Sequence, residues 1–138
     1  MSLSLVPARV FSSYAAVTPE YVADRGVRLL LSDLDFTLAP KSCPAPDEAV
    51  RAWIASMQRA GIEVMILSNN RSPVRIERFC KDLGIRYIGW AKKPWPPGFR
   101  RARVLTGVPA GETAMLGDKL LTDMLGANLN GCLALMVE

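Results

Sequence analysis

Histidine is absent from this chain of 138 residues, and cysteine is scarce. Without histidine, the chain alone cannot build a Ser-His-Asp triad, a Cys-His dyad or a histidine-ligated metal site. Cys43, Cys80 and Cys132 lack Cys-x-x-Cys spacing and are odd in number, which argues against a disulfide framework and against a structural zinc site. We therefore expect a protein of a reducing compartment, the cytoplasm, in which carboxylates and lysine carry any acid-base chemistry.

Long hydrophobic runs are also missing. The longest apolar stretches, around 27–31 and 132–137, are strand-sized and fall well short of the roughly 20 residues that span a bilayer. The sequence thus predicts no transmembrane segment. A net charge of +4 fits an anionic partner, such as a phosphate ester, a nucleic acid or an acidic membrane surface, but does not select among them. Because the chain is basic, peripheral contact with an acidic membrane surface is one of these alternatives.

The chain alternates apolar strand-like runs with helical stripes, joined by short connections. A chain of this length and hydrophobic content supports one compact domain, which we place at residues 18–138, after an N-terminal segment (1–17) expected to be in part disordered. The alternation predicts a three-layer, Rossmann-like α/β fold with a mostly parallel sheet. Five strands are expected, at 27–34, 62–67, 86–90, 113–116 and 132–137.

Polar residues follow these strands where each one ends. Asp33 and Asp35 are spaced i, i+2, so on an extended chain their carboxylates point to the same side, close enough to share a metal or a phosphate. Taken singly, such residues have simpler explanations: an Asp-x-Asp closes a strand as a turn, Ser68 caps a strand end, and Asp118 begins a helix. In a parallel sheet, however, ligands bind beyond the carboxyl ends of the strands, so the clusters should converge on one edge.

In chain order these groups are Asp33-Leu34-Asp35-Phe36-Thr37, Ser68, Lys93-Pro94 and Gly117-Asp118, with Asp123 five residues further on. This order resembles the four motifs of the haloacid dehalogenase-like (HAD) superfamily of phosphotransferases, from about residue 18 to the end. The resemblance implies the HAD fold and a phosphoric monoester hydrolase.

By this resemblance, Asp33 is the nucleophile that forms an aspartyl-phosphate, and Asp35 is the acid that protonates the leaving group and later activates water. It also implies a Mg²⁺ ion held by Asp33, Asp118 and the backbone carbonyl of Asp35, an oxygen-only set that suits this cation. Asp123 is expected outside this set, where it holds the motif lysine or a metal-bound water.

The remaining motif residues are expected around the phosphoryl group. Ser68, the backbone N–H of Asn69, and Thr37 would bind the substrate phosphate, while Lys93 would add positive charge and restrain the nucleophile. Lys93 is preferred to Lys92 because the family's lysine stands immediately before the proline; Lys92 is then interpreted as a solvated charge.

Larger HAD proteins insert a cap domain after the first or the second motif, and here neither gap has room for one. Thirty residues separate Thr37 from Ser68, and 22 separate Asn70 from Lys93. We expect an open site whose phosphorylated substrate is bulky, lipid or macromolecular, unless a second subunit of a homo-oligomer acts as the lid. The capless chain most resembles the phosphatidylglycerophosphate phosphatase subgroup, from which it departs in a proline-rich loop at 41–46.

A second hypothesis comes from the basic segment Arg100–Arg103. In this alternative, the chain is a non-catalytic HAD-like module that binds RNA or anionic lipid through that segment. The full set of motif residues argues against it, because a pure binder has no need of Asp35; nucleic acid is therefore not expected as an obligate partner.

Overall fold

The computed structural model describes residues 2–138, which form one six-stranded sheet with every pairing parallel. The strands are β1 (Arg9–Phe11), β2 (Leu29–Ser32), β3 (Glu63–Leu67), β4 (Tyr87–Ile88), β5 (Thr113–Gly117) and β6 (Leu133–Val137), in the order β1-β6-β5-β2-β3-β4. The predicted α/β class and parallel sheet are confirmed.

The sheet has one strand more than the five expected from the sequence. The extra strand is β1, which pairs with β6 from Arg9 opposite Leu135 to Phe11 opposite Val137. Only Phe11 of its three residues is buried, so the strand carries no apolar pattern long enough to identify it. This edge strand lies ahead of residue 18, where the sequence places the start of the domain.

The helices are α1 (Pro19–Asp24), α2 (Glu48–Arg59), α3 (Pro73–Leu83), α4 (Pro96–Thr106) and α5 (Leu125–Leu129). A π-helical turn at Leu120–Met124 leads into α5, and single 3₁₀ turns occupy Tyr14–Ala16 and Ala110–Glu112. Side-chain oxygens cap the first three helices: Thr18 accepts from the Tyr21 N–H at 3.1 Å, and Asp47 and Ser72 cap α2 and α3 in the same way.

The core lies on both faces of the sheet, which explains why the strands read as continuous apolar runs. β2 is buried at all four positions, and its alternate side chains enter two separate clusters. Leu30 packs with residues of α2 and α3, and Leu31 packs with residues of α4 and α5. This sandwich holds β2 at the centre of the sheet and presents its carboxyl end to the loops.

Within residues 2–138, no helix is both long and apolar enough to cross a membrane. In the same range, the segment between β2 and β3 contains one helix, α2, and the segment between β3 and β4 contains only α3. Neither segment forms a cap domain, as the spacing of the motifs predicts.

Candidate active site

A cavity of about 480 Å³ opens at the carboxyl edge of the sheet, over the loops that follow the central strands. Five residues predicted for the site line it: Asp33, Asp35, Ser68, Asn69 and Lys93. Lys41, Arg71 and Lys119 also line it and surround the carboxylates with positive charge, so the cavity suits an anionic ligand.

Asp33 lies at the floor of this cavity. It follows β2 directly, and its N–H donates to the Leu116 carbonyl at 3.0 Å, which extends the strand pairing by one residue. Burial raises the pKa of Asp33 to about 6. The nearby charge of Lys93 lowers this pKa, and the nearby charge of Asp123 raises it. Burial thus disfavours the charged form of this carboxylate, and the Lys93 ammonium opposes that effect.

Lys93 bridges two buried carboxylates. Its Nζ lies 2.7 Å from Asp123 Oδ1 and 3.4 Å from Asp33 Oδ1, and its side chain is 1% exposed. A buried ammonium needs such partners, since an unpaired charge in this position would be strongly unfavourable. Lys92, in contrast, is exposed and stacks over the Trp90 ring at 4.9 Å. The two neighbouring lysines therefore have different environments, one buried between carboxylates and one exposed.

Asp123 links two segments of the site through its carboxylate. Its second oxygen accepts the Lys119 N–H at 3.2 Å, so the carboxylate is fixed at both ends. Gly117 makes this possible, because a Cβ at that position would clash with the Asp123 carboxylate. The glycine of the Gly-Asp motif is required by this close approach.

Three carboxylates converge beside the cavity: Asp33, Asp118 and Asp123 each offer an oxygen within 4.8 Å of the others. Oxygen donors at this separation fit a hard divalent cation. Both Asp123 oxygens accept hydrogen bonds, from Lys93 Nζ and from the Lys119 N–H, so this carboxylate is already held within the protein.

Asp35 lines the same cavity as Asp33 but has different partners. Its Oδ2 accepts from Asn70 Nδ2 at 3.1 Å, and its Oδ1 accepts from Arg75 Nε at 3.3 Å and Nη2 at 3.1 Å. Phe36, next in the chain, has φ 65° and redirects the backbone. The two aspartates therefore share a cavity while each is fixed by its own cations and donors.

The two residues after β3 have distinct environments. The Ser68 hydroxyl is buried and accepts the Asn70 N–H at 3.0 Å, which leaves its O–H as a donor. The Asn69 side chain pairs with the Lys93 backbone, accepting its N–H at 2.7 Å and donating to its carbonyl at 3.1 Å. Asn69 thus links the second and third motifs.

Thr37 lies outside the cavity lining and borders a neighbouring groove near Tyr14 and Val137. Among the described residues, its Oγ1 is the one buried side-chain polar atom without a hydrogen-bond partner. Such an orphan hydroxyl is costly unless something else satisfies it.

Sequence reasoning missed several residues that line or contact the site, among them Asn70, Arg75 and Lys119. Asn70 follows Ser68 and Asn69 at the strand end, so the strand-end pattern could have included it. Lys119 follows Asp118 in the same way and lies 5.6 Å over the Phe36 ring. Arg75 sits inside α3, where an arginine reads as an ordinary helix-surface residue, and no local signal identifies it.

Residues 12–131 match a family described as "Hydrolase: haloacid dehalogenase-like hydrolase". The chain belongs to the haloacid dehalogenase-like hydrolases. This confirms the family and the enzyme class predicted from the order of the motifs. A curated relative from Bacillus subtilis (strain 168), "Probable phosphatase YqeG", is 36% identical over 121 residues, which cover 88% of this chain and 70% of the relative.

Solved structures share the fold of this HAD-like hydrolase. The cobalt-bound form of the deoxy-D-mannose-octulosonate 8-phosphate phosphatase from Haemophilus influenzae matches with a TM-score of 0.53 and 25% identity, over 68% of this chain and 60% of that one. The present chain therefore spans less than two thirds of that protein. An uncharacterized protein from Listeria monocytogenes serotype 4b matches with a TM-score of 0.65 and 17% identity, over 81% of this chain and 79% of that one.

Proposed function

We propose that this HAD-like hydrolase is a Mg²⁺-dependent phosphatase that cleaves phosphomonoesters through an aspartyl-phosphate at Asp33. The observation that carries the proposal is the placement of Asp33 at the floor of a cation-lined cavity, 3.4 Å from the Lys93 ammonium. Asp35 lines the same cavity with separate partners. Two carboxylates in different environments can take different protonation states and different roles.

In the first step, an Asp33 carboxylate oxygen attacks phosphorus, and the P–O bond to the leaving group breaks as the acyl phosphate forms. Asp35 protonates the leaving oxygen and, deprotonated, then removes a proton from the water that attacks the intermediate. Lys93 stabilises the ionised Asp33 beforehand and neutralises negative charge during transfer. Asp123 maintains this arrangement because it fixes the Lys93 ammonium at 2.7 Å.

Asp33, Asp118 and the Asp35 backbone carbonyl would hold Mg²⁺. The convergent carboxylates and oxygen-only donors support this assignment, and the H. influenzae relative was solved in a cobalt-bound form. The ion supplies positive charge that lets the anionic nucleophile approach an anionic phosphate.

Ser68, the Asn69 N–H and Lys93 would bind the phosphoryl oxygens, with Thr37 as a further donor. The Ser68 hydroxyl accepts from the backbone, which leaves its proton free to donate. The orphan hydroxyl of Thr37 is consistent with a partner supplied by the ligand, although Thr37 borders the adjacent groove.

For the substrate, the open cavity supports an ester that is bulky or presented at a surface, with phosphatidylglycerophosphate as the specific candidate. Peripheral contact of a cytoplasmic protein with the membrane would then deliver it. A second candidate is a small sugar phosphate, favoured by the likeness to the H. influenzae 8-phosphate phosphatase at 25% identity. A homo-oligomer in which a neighbouring subunit closes the site would suit the small substrate.

Phosphate release with Mg²⁺ should be measured across aryl, lipid, nucleotide, sugar and peptide phosphates. The proposal requires hydrolysis by the wild type, its loss in Asp33→Asn, and tight inhibition by beryllium fluoride, which mimics the acyl phosphate. Salt-sensitive binding of RNA or anionic lipid with no turnover of any ester would instead favour the binding module based on Arg100–Arg103.

A further inference from the structure

Arg75 makes an unusual number of contacts for a residue of a surface helix. It lies in the first turn of α3, and its side chain is 13% exposed. Two of its nitrogens donate to Asp35 Oδ1, Nε at 3.3 Å and Nη2 at 3.1 Å. Nη2 also donates to the Pro40 carbonyl at 3.1 Å, and Nη1 donates to the Cys43 carbonyl. One guanidinium thus joins a helix, a loop and a carboxylate of the candidate site.

Arg75 contacts Pro40 and the proline-rich loop at 41–46 that follows it, a segment to which the proposed chemistry assigns no step. The Cys43 N–H donates to the Pro40 carbonyl at 2.9 Å, so the loop is folded upon itself. Its carbonyls point to Arg75 from one side, while Asp35 approaches from another. Proline residues restrict the backbone of the loop and keep these carbonyls in place.

We propose that Arg75 is a positioning residue that, together with the proline-rich loop, sets the orientation of the Asp35 carboxylate for proton transfer. This inference rests on the proposed phosphatase function. The planar guanidinium offers five N–H donors in a fixed fork, so it can hold a carboxylate and two carbonyls at once. Asn70 holds the other carboxylate oxygen at 3.1 Å, so both oxygens of Asp35 are fixed from outside its own loop.

A purely structural staple would lower stability but would not change how the rate depends on the leaving group. A positioning role makes a different prediction, because Asp35 is needed only where the leaving oxygen must be protonated. p-Nitrophenolate leaves readily as an anion, whereas phenolate is a stronger base and depends more on the acid. Phenyl phosphate and p-nitrophenyl phosphate have similar shape and so form a matched pair of probes.

The test compares Arg75→Met and Arg75→Lys with Arg78→Met, a control at an exposed arginine of the same helix. kcat/KM is measured for both esters with Mg²⁺, since this ratio reports the first phosphoryl transfer. We expect Arg75→Met to lose roughly 100-fold on phenyl phosphate and less than about 10-fold on p-nitrophenyl phosphate, within the usual range for general acid catalysis. Arg75→Lys should recover part of that loss, and Arg78→Met should match the wild type on both esters.

A second measurement places Arg75→Met in an Asp35→Asn background. If Arg75 acts through Asp35, the double variant should show the same ratio of the two kcat/KM values as Asp35→Asn alone. Equal losses on both esters, or a further change of the ratio in the double variant, would overturn the positioning role. If Arg75→Met does not fold, the Arg75→Lys ratio decides by the same criterion. A wild type that releases phosphate from none of the aryl, lipid, nucleotide, sugar and peptide esters would refute the proposed function, and the role of Arg75 would fall with it.

Discussion

Replacement of Lys93 by methionine tests the charge arrangement beneath the cavity. The substitution keeps an unbranched side chain of similar length but removes the ammonium that lies 2.7 Å from Asp123 and 3.4 Å from Asp33. Two buried carboxylates then lose their shared cation. The matched control is Lys92→Met, one residue earlier, where the exposed side chain lies over the face of Trp90 in a cation–π interaction.

The expected magnitude follows from burial. Breaking a buried ion pair by removal of one partner costs about 3–5 kcal/mol. Because Asp33 can take up a proton once Lys93 is gone, we expect the lower end of that range, about 3 kcal/mol at pH 7. For a chain of this length that corresponds to a fall in Tm of roughly 10 °C. Lys92→Met should lose only about 0.5–1 kcal/mol, the strength of an exposed cation–π contact.

Removal of Lys93 should also change how the stability of the protein depends on pH. Lys93 lowers the pKa of Asp33, so its removal moves that pKa above the value of about 6 that burial already produces. The folded variant then binds more protons than the unfolded chain between about pH 4 and this raised pKa, so its stability falls as the pH rises through that window. The deficit against the wild type should be smallest near pH 5 and largest near pH 8.

Urea unfolding followed by circular dichroism, in EDTA and at several pH values, measures these differences. Hydrolysis of p-nitrophenyl phosphate with Mg²⁺ should be lost in Lys93→Met and retained in Lys92→Met. Equal stability of the two variants at pH 7, or a Lys93→Met deficit that grows on acidification, would refute the bridging role of Lys93.

Three further variants test neighbouring parts of the site. Asp33→Asn in EDTA should raise the free energy of unfolding by up to about 3 kcal/mol at pH 8, because a pKa of Asp33 raised to about 6 penalises the charged form in the folded protein. The increase should be smaller at pH 4.5. An increase that urea denaturation finds to be independent of pH would contradict this. Gly117→Ala should displace the Asp123 carboxylate, lower kcat and Tm, and cost about 1–3 kcal/mol of stability. Gly111→Ala, with nothing within 4 Å of its Cβ, should have neither effect. Equal Tm and equal turnover in the two variants would argue against the close approach of Gly117 and Asp123. Asp118→Asn should abolish the rise in Tm that Mg²⁺ gives the wild type, and an undiminished rise would exclude Asp118 as a ligand.

The local sequence pattern was sufficient to predict most of the helices and strands. The helix caps at Thr18 and Ser72, and the left-handed glycine Gly84 that ends α3, are short-range features that act within one turn of chain. β1 was not predicted because it is held by pairing with β6 at the edge of the sheet, and Phe11 is its single buried side chain. An edge strand held mainly by backbone hydrogen bonds leaves little trace in side-chain pattern.

The sequence by itself determined which chemical groups reach the carboxyl edge of the sheet, because apolar runs end where polar residues begin and parallel strands share one edge. Asp33, Asp35, Ser68 and Lys93 line one cavity at that edge. What only the tertiary structure decided is how those groups are held. The side chain of Arg75, which meets Asp35 across 40 positions of chain, is fixed by packing between distant segments, and no local pattern encodes such a contact.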